Sequence, residues 1–355
     1  MSELVSIPVT DVRTLGLVRH AIAEPARAKA LRDGCVNFLP GPARVLLPAL
    51  DALTRRWLTR SQSPYVNEVE ALASALALPG IWFLNGCYEW GCTSLARDED
   101  GTPWLARTLD WPFPEIGRRV EVVRMQGAAG EFLNVTWPGY VGVLTAVAPG
   151  RFGAAINQGP LWRRTRKAWL RPTDVALNAL CTWGIHHRPP DHLLREVFET
   201  CRSFDEARRR LETVPVARPV IFTLIGCRAG ERCVIERTEE GFASRSDDTS
   251  AANDWSQSAP PWEARVSSEY ILTRSYEEAA RRNLARRGAL AEWRGRFASV
   301  PLAWVEPPVL NPMTRIAVEM CAADGTLRVA GYERVAGEEF PQRVTGIREL
   351  GLTPA

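Results

Sequence analysis

The spacing of apolar residues changes character several times along this chain. Over 11–34 (DVRTLGLVRHAIAEPARAKALRDG), 42–61 (PARVLLPALDALTRRWLTRS) and 67–78 (NEVEALASALAL) apolar residues recur at helical spacing, and Pro79-Gly80 stops the third run. Short apolar runs follow, parted by Gly, Pro and Asp: 81–86 (IWFLNG), 92–98 (CTSLARD), 103–111 (PWLARTLDW), 119–126 (RVEVVRMQ), 131–139 (EFLNVTWPG), 141–150 (VGVLTAVAPG) and 151–159 (RFGAAINQG). Each predicts a strand, and together they predict a wide antiparallel meander. Helical spacing returns over about 173–211, including the SFDEARRRLETV run at 203–214. Strands are expected at 219–227 and 232–241, and a long loop over the polar stretch 244–268, a kind of loop that is often functional. A helix over 275–293 and a hairpin over 315–333, turning at Asp324-Gly325, complete the order. Wide antiparallel sheets with helices on their outer faces are the simplest packing for that order, and no internal repeat breaks it.

Composition narrows the class. With 355 residues, 46% hydrophobic and 24% charged, the chain has the make-up of a globular protein able to bury a sizeable core, as one large domain or two ordinary ones. A net charge of +3 provides no basic field for a nucleic-acid partner. The opening MSELVSIPVTDVRTLG lacks a basic end followed by an apolar run, and no apolar stretch is long enough to span a bilayer. No secretory leader and no integral membrane segment are therefore expected, and the expected home is cytoplasmic. In that setting the eight Cys read as free thiols, including the Cys227 and Cys233 pair in GCRAGERC. The four His form no Cys/His set at zinc spacing, so no metal and no cofactor is expected. The NVT sequon at Asn134 has no meaning inside a cell.

Cys92 departs from the usual reading of a Cys as a small core hydrophobe. It opens its strand instead of sitting in the middle, and Thr93 and Ser94 follow it. The DEDG turn at 98–101 folds the next strand back, so Arg107 and Asp110 return toward the start of the first. A guanidinium nearby favours thiolate. No His is close in sequence to act as base. Cleavage between Gly91 and Cys92 would supply one: an α-amine, with a pKa of about 7.7–8.0, keeps a usable neutral fraction near pH 7. One residue would then be nucleophile and base, with Asp110 orienting the amine.

CTSLARDEDGTPWLARTLDW resembles the Cys-Thr-Ser start, turn and Arg-x-x-Asp strand of the N-terminal-nucleophile (Ntn) cysteine hydrolases of the acid ceramidase and N-acylethanolamine acid amidase type, distant kin of penicillin V acylases and bile salt hydrolases. GYVGVLTAVAPGRFGAAINQ, SFDEARRRLETVPVARPVIFTLIGCRAGERCVIERT and PVLNPMTRIAVEM resemble later blocks, in order, so the likeness runs over about 86–329. It implies an α+β fold: an αββα Ntn-hydrolase sandwich of two antiparallel sheets between helical layers, with a helical pro-segment at 1–91 and a catalytic segment at 92–355. It implies self-cleavage at Gly91-Cys92, after which Cys92 attacks an amide carbonyl and forms a thioester. Arg107 and Asp110 take the family's Arg and Asp. Asn157, on residues alone a turn residue before Gly159-Pro160, takes the first oxyanion position, and Asn253 in AANDWS the second. Arg274 in ILTRSYEEAA takes the second arginine position, with Arg265 as competitor. Two departures stand out. Thr108 replaces the family's Asn, and Gln158 replaces the Glu of acid-triggered maturation, which fits a cytoplasmic setting. The substrate implied is a small N-acyl amide, with Trp90, Trp111, Phe113, Trp137 and Tyr140 as acyl-pocket candidates that are also ordinary core residues. After cleavage the partner is the chain's own N-terminal fragment. The same thioester also serves acyl transfer of the isopenicillin-N acyltransferase type, and an uncleaved, silent scaffold is the non-enzymatic alternative.

Overall fold

The helical start forms, broken where proline dictates. In the computed structural model, which describes residues 4–37, 41–86, 91–162, 164, 167–256, 264–266 and 275–351, a short strand β1 (Val9–Asp11) precedes α1 (Gly16–Ala23) and α2 (Pro25–Asn37). The single helix expected over 11–34 is thus two, because Pro25 forces Glu24 out of helical geometry (φ −116°, ψ 52°). α3 (Gly41–Val45), α4 (Leu47–Arg60) and α5 (Val66–Leu76) follow.

The run 81–86, expected as a strand, is instead a helix, α6 (Ile81–Gly86). Its length and apolarity suit either state. A distant residue decides: the Asp51 carboxylate of α4 accepts the N–H groups of Gly80 (2.5 Å) and Phe83 (2.8 Å), capping the orphan donors of a helix start.

Turn chemistry builds the sheet that carries Cys92. Asp100 and Gly101 both have positive φ (51° and 80°), the geometry of a two-residue hairpin turn, and they join β2 (Gly91–Glu99) to β3 (Thr102–Asp110). The single meander expected is in fact divided between two sheets. After α7 (Ile116–Arg119) the chain enters the second sheet with β4 (Glu121–Gly127), β5 (Gly130–Thr136), β6 (Thr145–Ala148) and β7 (Phe152–Gln158). β8 (Leu161–Trp162), α8 (Arg171–Gly184), α9 (Pro190–Thr200) and α10 (Phe204–Thr213) lead to β9 (Val220–Ile225), β10 (Arg232–Arg237) and β11 (Phe242–Arg245). The loop expected over 244–268 holds β12 (Ser250–Ala251), which pairs with β2, and β13 (Ala264–Val266), which pairs with β8. α11 (Tyr276–Glu292), β14 (Thr314–Cys321), β15 (Thr326–Glu333), β16 (Gln342–Arg343) and β17 (Arg348–Gly351) end the order.

The first sheet runs β12-β2-β3-β14-β15-β16, with β17 also on β15; the second runs β1-β4-β5-β6-β7-β9-β10-β11 and is antiparallel except for the β1–β4 pair. They face each other closely: a Cβ on Gly153 of β7 would lie 2.9 Å from Met320 Sδ of β14. Helices cover both outer faces. On α9, Phe198 packs against Phe132 and Phe152, with centroids 5.3 and 4.8 Å away. Leu290 of α11 joins Trp104, Ala106 and Ala317 on the other side. The α+β sandwich between helical layers is therefore the observed architecture.

The segment before Cys92 is built into this fold. β1 adds a parallel strand to β4, and Val12, Leu17, Leu31 and Leu84 share one core with Cys92. Two buried charge clusters cross the same boundary. Glu121, fully buried on β4, meets His20 Nε2 (3.1 Å) and Arg27 Nη1 (2.8 Å). Arg195 of α9 forks onto Glu68 (2.7 and 2.9 Å). Breaking a buried pair leaves charge uncompensated, so Glu121→Gln is expected to cost about 3 kcal/mol, read as a lower urea midpoint, and to loosen 1–91 from the rest.

Three smaller points follow. Asn134 of the sequon is fully buried, inaccessible to a glycan in the folded chain. Cys227 and Cys233 are free thiols, as expected. Among the described residues no helix is long and apolar enough to cross a membrane.

Candidate active site

The β2–β3 register sets which side chains meet. Cys92 lies opposite Leu109, Ser94 opposite Arg107, Gly91 opposite Asp110 and Thr93 opposite Thr108. Strand alternation puts the first two pairs on the face toward the other sheet and the last two on the face toward α11. The thiol is fully buried. Arg107 Nη2 donates to Cys92 Sγ at 3.0 Å and to Ile156 O at 2.8 Å, while Arg107 Nε and Nη1 have no partner among the described residues. The Cys92 N–H donates to Asn253 Oδ1 at 2.8 Å. Cys92, Arg107, Asp110 and Asn253, 161 residues apart at the extremes, thus converge.

Burial pushes the Cys92 thiol up to about 11. The Arg107 and Arg286 guanidiniums pull it back, and the Asp110 carboxylate adds to the rise. Burial in turn lowers the pKa of both arginines. Asp110 is held by Thr314 Oγ1 on Oδ1 and Asn311 Nδ2 on Oδ2, both at 2.8 Å.

Asn157 is buried on β7, but its amide is committed. Nδ2 donates to Ser94 Oγ (3.1 Å), Ala252 O (3.1 Å) and Ala251 O (3.3 Å), and only Oδ1 lacks a partner among the described residues. Asn253 Nδ2 donates to Gln158 O at 3.0 Å. Both amides therefore brace backbone of the strands beside Cys92. Ser94 Oγ also meets Thr223 Oγ1 at 2.8 Å, tying β2 to β9 beside the thiol. Arg274 and Trp90 lie outside the described residues, and Arg265 is placed only as backbone in β13. Trp111, Trp137 and Tyr140 are core residues, Trp137 pinned by Nε1 to Ile116 O at 2.8 Å, and Phe113 is half-buried against Trp111.

Arg286 and Asn283, on α11, are site residues that the sequence reading missed. Ser275 Oγ accepts the Glu278 N–H (3.1 Å) and fixes the start of the helix. Ala279, Asn283, Arg286 and Leu290 then share its buried face. Arg286 Nη2 donates to Asn283 Oδ1 (2.6 Å) and Asn253 Oδ1 (3.2 Å), and Nη1 lies 3.9 Å from Asp110 Oδ2. The signal was present: a polar Asn and Arg stand in the middle of an otherwise small and apolar stripe at helical spacing. Asn311 and Thr314 lay inside the quoted PVLNPMTRIAVEM block without being singled out.

No protein-family model matches the chain. The chain is related by sequence to amide hydrolases. It is 28% identical over 246 residues to the N-acylethanolamine-hydrolyzing acid amidase of Oryctolagus cuniculus, a match covering 67% of this chain and 64% of that one. It is 29% identical over 218 residues to a probable acid ceramidase of Caenorhabditis elegans, covering 54% and 52%. The acid ceramidase of Bos taurus is 24% identical over 219 residues, covering 55% and 53%. Each match spans less than two thirds of the relative's length. Among solved structures, the Caenorhabditis elegans ortholog of the acid amidase overlays with a TM-score of 0.48 at 17% identity, covering 65% of this chain and 93% of its own. A variant of the conjugated bile acid hydrolase from Clostridium perfringens gives 0.35 at 11% identity, covering 74% and 97%.

Proposed function

We propose that this chain is a cysteine amidase that cleaves itself at Gly91-Cys92 and then hydrolyses the non-peptide C–N bond of an N-acyl amide. The observation that carries the reading is the paired contact on one residue: a guanidinium on Cys92 Sγ and a side-chain amide oxygen on Cys92 N. Nucleophile and future amine each have a polar side-chain partner. In the maturation step, Cys92 Sγ attacks the Gly91 carbonyl carbon, the C–S bond forms and the C–N bond breaks, and the thiol proton ends on the departing nitrogen. Water then hydrolyses the thioester, leaving a Gly91 carboxylate and a free α-amine on Cys92.

In turnover, the neutral amine takes the thiol proton as sulfur attacks the substrate carbonyl. It returns that proton to the leaving amine, and water releases the acid. Arg107 supports the thiolate, and its two unused donors are available to negative charge that develops beside the sulfur. A fixed donor at such an oxygen contributes about 3 kcal/mol. Asn157 and Asn253 take that role when their Nδ2 groups exchange a present acceptor, Ala251 O, Ala252 O or Gln158 O, for the substrate oxygen. Segment 1–91 remains bound as a partner through the shared core and the Glu121 and Arg195 clusters. The seven free thiols among the described residues fit a reducing, cytoplasmic setting.

The test is a mass measurement on purified protein with a parallel assay on a series of N-acyl amides. The expected result is two chains, 1–91 and 92–355, the latter beginning with Cys92, and release of free acid. A chain that stays whole and releases no acid overturns the reading.

A further inference from the structure

We propose that Arg286, held in place by Asn283, keeps the α-amine of mature Cys92 neutral and so makes it a base at neutral pH. The inference rests on the self-cleaving reading above and assigns a pH-setting device to that site. One oxygen, Asn253 Oδ1, accepts both the Cys92 N–H (2.8 Å) and Arg286 Nη2 (3.2 Å). Two donors on one acceptor lie no farther apart than the two bonds laid end to end, about 6 Å. After cleavage that nitrogen is the α-amine. A fixed cation at such range, in a site closed to water, disfavours a second positive charge on the amine.

The charged groups around the amine come from four elements. Arg107 of β3 sits on the thiol side and acts in the same direction as Arg286. Asp110 of β3 opposes them, but its two oxygens are engaged by Thr314 and Asn311 of the β14 region, and Arg286 Nη1 stands 3.9 Å from it. Asp254, just past β12, also acts on Arg286. The Cys92 thiol completes the set. Asp110 alone would hold the amine protonated, and an ammonium cannot take the thiol's proton. Arg286, beside that carboxylate and on the oxygen that holds the nitrogen, offsets that pull. Asn283 Oδ1, 2.6 Å from Arg286 Nη2, keeps the guanidinium on the shared acceptor.

The experiment is the pH profile of kcat/KM for wild type, R286Q, R286K and N283A, each first checked for self-cleavage by mass. The acid limb reports the amine in free enzyme. In R286Q it is expected to move up by about one pH unit. R286K keeps the charge and is expected to hold the limb near the wild-type position. N283A, which lets the guanidinium drift, is expected to move the limb the same way by less, and it decides the matter if R286Q does not cleave itself. A limb that stays put in R286Q and N283A, or moves as far in R286K as in R286Q, overturns the inference while leaving the amidase reading intact. Failure of wild type to cleave and turn over overturns that reading instead, and this one with it.

Discussion

Self-cleavage of the freshly folded chain is expected to accelerate about tenfold for each pH unit from pH 6 to 9, and to be absent in Cys92→Ala. The reasoning starts from the attacking species. Thiolate, not thiol, is the nucleophile, and burial lifts the intact chain's thiol up to about 11. Across the whole range tested the thiolate is therefore a minor fraction that rises in step with pH. The sign is opposite to what an acid-triggered maturation would give, and the resemblance puts Gln158 where the family's trigger has a carboxylate. Chains released from denaturant into buffers of graded pH, sampled over time and resolved by size, provide the measurement. Cleavage that quickens as pH falls would count against thiolate attack as written. The Cys92→Ala chain supplies the uncut reference at every pH.

The strand pair that carries Cys92 was legible because its information is local. The two-residue turn at Asp100-Gly101 and the alternation of β2 and β3 fix the register, and register brings Arg107 and Asp110 back to Cys92. The family likeness extended that reach to Asn157 and Asn253, which no local pattern places. The likeness also supplied the division of the strands between two facing sheets, which depends on long-range packing that a run of alternating residues does not encode. Two features lay beyond both. α6 starts as a helix where Asp51, thirty residues earlier, caps it. Arg286 was hidden by charge: an arginine in the Arg-rich run of α11 reads as solvated until the helix's buried face is known. The likeness pointed to Arg274, with Arg265 as competitor, and Arg274 lies outside the described residues.

Arg107→Met is expected to reduce amide turnover by about a hundredfold to a thousandfold while leaving the fold as stable as before or more so. The two effects come from one fact. Arg107 is fully buried, and two of its three nitrogens have no partner among the described residues, so its charge is held in the core at a cost. Its favourable contacts are a thiol and one carbonyl, Ile156 O. A Met of similar length fills the volume, removes the desolvated cation and leaves a single carbonyl short of a donor. Replacing a buried charge by a well-packed apolar side chain typically lies between neutral and a gain of about 1–4 kcal/mol, against about 1–3 kcal/mol for the orphaned carbonyl. The comparison belongs on a Cys92→Ala background, where both chains remain uncut and the melting temperature reports the fold alone. Turnover belongs on the Cys92 background, where losing the guanidinium raises the thiol further and slows maturation as well. An Arg107 that served packing would give the reverse pattern, a marked fall in melting temperature with turnover per cleaved molecule preserved. A guanidinium that costs stability and sustains turnover is held there for the sulfur it touches.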